Sequence, residues 1–61
     1  MSTKQAVAAE FFRLMAEDPS WDSNDAMDLA FNLVMGRPAN GDNVEDCSAW
    51  NAAIMHWRVA K

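Results

Sequence analysis

The chain is short of nearly everything that a catalytic, stapled or membrane-embedded protein needs. One cysteine, Cys47, stands among 61 residues, so no internal disulfide can form. A chain this small without staples depends on helix packing or on self-association, and a lone thiol suits a reducing, cytoplasmic setting. There is one histidine, His56, nine positions after Cys47. On a single helix that separation points the two side chains to opposite sides, which excludes a thiol–imidazole dyad from one chain and joint ligation of a tetrahedral metal. The residues therefore predict no enzyme, no metal and no cofactor. No apolar run approaches the roughly 20 residues that cross a bilayer. Glu10 and Arg13 interrupt the one apolar stretch near the start, so neither a signal peptide nor a membrane partner is expected.

Basic residues are also scarce. Five Lys and Arg face nine Asp and Glu, giving a net charge of −4. That sign repels nucleic-acid phosphate, so direct binding of DNA or RNA is not expected. Three helices with a glycine-containing turn are the raw material of a helix-turn-helix, but the third segment carries only Arg58 and Lys61, both at its end, and gives base-reading groups no basic surroundings.

What is present is apolar surface: 51% of the residues are hydrophobic, with three Trp, three Phe and five Met. That is too much for a disordered tail. A domain of this length hides only about 60% of the surface that its unfolded chain exposes, so residues 1–61 can form one domain with one compact core.

Two prolines and two glycines divide the chain into three segments. The first runs near 3–17, with Ser2 and Gln5 at capping-box spacing and Pro19 closing it. Val7, Ala8, Phe11, Phe12, Leu14 and Met15 share one broad arc, and Arg13 lies within reach of Glu10 and Glu17 on the other side. The second spans 22–35 after the candidate caps Ser20, Asp22 and Ser23, and ends at Gly36 and Pro38. Its apolar set, Ala26, Met27, Leu29, Ala30, Phe31, Leu33 and Val34, covers over half the helical wheel, so it is expected to be the most buried helix and the central one. The third spans 43–60, with Asp42 and Glu45 at capping-box spacing. Its main stripe is Cys47, Trp50, Ala53, Ile54 and Trp57.

The fold predicted is an all-α three-helix bundle with a core of Val7, Phe11, Leu14, Leu29, Ala30, Leu33, Trp50, Ile54 and Trp57. Replacing Phe11 or Trp50 by Ala should cost about 3–5 kcal/mol.

One charge feature stands out. Glu17, Asp18, Asp22, Asp25 and Asp28 fall within twelve residues, and no Lys or Arg occurs between Arg13 and Arg37. The plainest account is dipole compensation at the start of the second helix. A calcium loop is excluded, since the order of an EF-hand and its closing glutamate are missing. The sharper account is an acidic docking patch for a larger protein with a basic surface, one that itself handles nucleic acid among the candidates, with Trp21 as the apolar anchor. Trp21 could equally plug the end of the bundle.

The leading functional expectation is thus a small adaptor or inhibitor. Its size and charge, and nothing more specific, are similar to those of the small proteins that phages and mobile elements make to disable host enzymes; such a protein would work in host cytoplasm. The second expectation is a homo-oligomer formed through Val44, Met55 and Val59, which fall outside the main stripe of the third helix, and through Phe12.

Overall fold

A computed structural model of the chain describes residues 3–60, and over that range it is a bundle of three helices. They are α1 (Thr3–Glu17), α2 (Ser23–Met35) and α3 (Val44–Ala60). The expected cap Ser2 and the terminal cation Lys61 lie outside the described residues.

The boundaries follow from local chemistry. Arg13 reaches both expected partners on α1, with Nη2 at 2.7 Å from Glu10 Oε2 and Nη1 at 3.0 Å from Glu17 Oε1. Asp22 caps α2, its extended backbone turning its carboxylate to accept from Asn24 N–H at 2.8 Å. Gly36 ends α2 in the left-handed region at φ 71°, its N–H donating to Asn32 C=O at 3.0 Å. At α3 the cap is Asn43, not Asp42: Asn43 Oδ1 accepts from Glu45 N–H at 2.9 Å and from Asp46 N–H at 3.1 Å.

The core is Val7, Phe11 and Leu14 from α1, Ala26, Met27, Ala30 and Phe31 from α2, and Ala49 and Ala53 from α3. Of the expected core, Val7, Phe11, Leu14 and Ala30 are buried. Leu29, Trp50, Ile54 and Trp57 are half-buried and pack against that cluster. Leu33 is a correction, since it is 55% exposed. Met27 and Phe31 supply the inward bulk on α2 instead, fully buried on a face centred to one side of Leu33.

Two further corrections concern arrangement. α1 packs along both other helices, while α2 and α3 approach each other only sparsely. The central position expected of helix two therefore falls to α1, although α2 does carry the most fully buried apolar residues. On α3 the expected stripe holds only at Ala53, and its larger residues are not on the innermost line. Counted at about 100° per residue, Asp46, Ala49 and Ala53 share the innermost line, and these are the buried residues of α3. Small side chains at a contact let two helix backbones come close. Trp50, Cys47 and Ile54 are thereby turned toward the α2 side. Trp57 meets Phe11 edge-on at 5.9 Å between ring centroids, and Trp50 stacks on Phe31 at 6.0 Å.

These burials rank three substitutions. Phe11→Ala should cost about 3–5 kcal/mol, Trp50→Ala distinctly less, and Leu33→Ala no more than about 0.5 kcal/mol. Urea unfolding of the three variants checks the order, and a Leu33→Ala loss matching that of Phe11→Ala contradicts it.

Candidate functional site: a cleft between α2 and α3

The acidic segment does not form a uniform patch. Glu17 is engaged by Arg13. Asp18 turns back to accept from Ser20 Oγ at 2.6 Å and from Ser20 N–H at 3.0 Å, and these two bonds hold its carboxyl below the usual range, the hydroxyl bond contributing most. Asp22 is occupied as the α2 cap. Trp21 is half-buried against the core, so it closes one end of the bundle as much as it faces outward. Asp25 and Asp28 remain, one turn apart on α2 and both exposed. Among the described residues neither carboxylate has a hydrogen bond or an ion pair.

Asp28 borders a hollow that sequence reasoning did not foresee. Because α2 and α3 touch sparsely, the surface between them is grooved, and two open hollows lie along it. One, of about 330 Å³, is lined by Asp28 of α2, by Ala39, Asn40 and Gly41 of the connection, and by α3 from Asp46 to Asn51. The other, of about 430 Å³, lies between Ser23 and Asn24 on α2 and Ile54, Met55 and Arg58 on α3. Trp50 and Asn51 line both. Trp50, Ile54 and Met55 give the groove its apolar part, Asn51, Ser23 and Asn24 line it as well, Asp28 stands toward one end, and Arg58 stands at the other.

The wall at the Asp28 end is fixed by a clamp that was also missed. Asp46 is only 4% exposed. Its Oδ2 accepts from Arg37 Nη1 at 2.6 Å and from Asn40 N–H at 2.9 Å, and its Oδ1 accepts from Arg37 Nη2 at 3.1 Å. This fork-to-carboxylate geometry is the strong form of an ion pair. Arg37, then the Asn40 N–H, hold the Asp46 carboxyl below the usual range. The available signal was an aspartate in line with Ala49 and Ala53, with a single arginine just past the α2 stop.

The remaining expected site residues are dispersed. Val44, Met55 and Val59 are exposed, at 83%, 65% and 86%, and lie on one side of α3. Val44 stands about 16 Å along the axis from Met55 at 1.5 Å per residue. Cys47 lines the first hollow and donates from Sγ to Gly41 C=O at 3.2 Å, while His56 is exposed. Among the described residues no three His, Cys, Asp or Glu groups converge as metal ligation requires, and no helix is long and apolar enough to cross a membrane. No protein-family model, no curated protein and no solved structure matches the chain.

The clamp sets a pH dependence. Asp46 binds its proton less readily folded than unfolded, so its contribution is complete above the ordinary carboxylate value of about 3.9 and is lost as pH falls through the lower folded value. Asp46→Asn should therefore melt below the parent at pH 7, with the gap narrowing as pH falls below about 4. Thermal melts across that range check this, and a gap independent of pH contradicts it.

Proposed function

We propose that the chain is a small protein-binding module, an adaptor or inhibitor, that uses the outer side of α2 to meet a larger protein with a basic surface. The observation that carries this reading is the condition of Asp25 and Asp28: exposed, adjacent, and without a partner among the described residues. Their neighbours Glu17, Asp18 and Asp22 have local structural work, which narrows the docking charge from the whole acidic segment to these two. A net charge of −4 supports a basic protein over nucleic acid as the partner. We assign no catalytic step to the chain, and a cytoplasmic setting, the host's if a phage encodes it, suits its single thiol.

A second reading, self-association through α3, is favoured by the exposure of Val44, Met55 and Val59. Sedimentation equilibrium separates the two, because a strictly monomeric mass at high concentration removes it.

The test of the leading reading starts from the partner that the tagged protein retains at low salt from its native lysate. The association rate of Asp25→Asn/Asp28→Asn with that partner should fall about tenfold or more at low ionic strength. The difference should close as salt rises. Equal rates at low salt overturn the reading.

A further inference from the structure

We propose that the partner is gripped in the α2–α3 cleft, and that the segment seated there is amphipathic, with a large apolar side chain over Trp50 and Ile54 and a Lys or Arg beside Asp28. This rests on the docking role of the α2 carboxylates and adds the place and the chemistry of the occupant. Three observations converge. The cleft is a groove with apolar side chains along it, since the two hollows share Trp50 and the second continues onto Ile54 and Met55, with the polar Ser23, Asn24 and Asn51 beside them. Its length from Cys47 to Arg58 is about 16 Å, or three turns of helix, which accommodates a helical segment of about eleven residues. Its charge is polar along that length, with unpaired Asp28 toward the α3 start and Arg58 toward the α3 end.

That polarity selects the occupant. A cation gains at Asp28 and is repelled at Arg58, so the basic side chains of the segment lie toward the Gly41 end and its neutral or acidic side chains toward Met55. A second copy of this chain is a poorer fit, because it would bring a net charge of −4 against an equal one, whereas a basic segment is attracted. The half-buried Trp50, stacked on Phe31, is held in one orientation and so presents a preformed aromatic surface.

The test is a nuclear magnetic resonance titration of the whole chain with three synthetic eleven-residue peptides: an amphipathic Leu/Lys helix, its Leu/Glu counterpart, and a Ser/Lys peptide without apolar residues. The Leu/Lys peptide should shift the Trp50 indole N–H, the Asn51 side-chain amide and the Ile54 methyl groups. Its affinity should fall severalfold in Asp28→Asn, whose exposed position leaves the parent spectrum otherwise intact. The other two peptides should leave those cleft signals unmoved.

Leu/Lys shifts confined to the α1–α2 connection, or to Val44 and Val59, overturn the cleft while leaving charge-directed docking standing. Equal cleft shifts with Leu/Glu overturn the basic occupant. No response at Asp25, Asp28 or the cleft to either Lys-containing peptide overturns both this assignment and the docking reading beneath it.

Discussion

The arrangement of the bundle depends on one buried carboxylate. Asp46 sits in the first turn of α3 with 4% of its surface exposed, and a charge placed there is tolerable only if it is paired and hydrogen-bonded. Arg37 and the Asn40 N–H meet both oxygens. Asn43 caps the start of α3, and the ion pair, spanning the connection between α2 and α3, ties that start to the end of α2 with Asp46 turned inward. With Asp46 facing inward, the helical repeat brings Ala49 and Ala53 inward on the same line.

That rotation distributes the rest. Alanines occupy the inner face of α3, which packs on α1, and the bulky residues Trp50 and Ile54 are displaced to the flank toward α2. Trp50 finds Phe31 there, while Asp28 and Asn51 stand over the gap that the sparse α2–α3 contact leaves. The cleft is thus a consequence of packing, and the functional proposal follows from what borders it. The acidic segment contributes in two ways, as local caps and turns at Asp18 and Asp22, and as uncommitted charge at Asp25 and Asp28.

Much of the fold was legible because it is written in local chemistry. The helix count, the stop at Gly36 and the pairing of Arg13 with its two glutamates all depend on residues close together in the chain, and Asp22, which caps α2, was one of three candidate caps. Rotation about each helix axis was not legible. Hydrophobic periodicity weights large side chains, so it pointed Leu33, Trp50 and Ile54 inward, kept Ala53 in the stripe but out of the expected core, and passed over Ala49, although small size is what a close contact requires. The role of Asp46 was not legible because its partner, Arg37, lies nine positions away across a turn. The candidate site suffered the same limit. The acidic segment was visible as a run of charge, yet only side-chain geometry separates the committed carboxylates from the available ones, and the cleft involves elements from both sides of the α2–α3 connection.

The rotation of α3 is the claim on which the clamp, the cleft and the assignment of its occupant all rest. It can be measured directly by recording how a water-soluble paramagnetic agent broadens the methyl signals of α3. Burial predicts that Ala49 and Ala53 are protected while Met55 and Val59 broaden strongly and Ile54 is intermediate. Protection of Ile54 with broadening of Ala49 and Ala53 would restore the stripe of large residues to the inside and contradict the account.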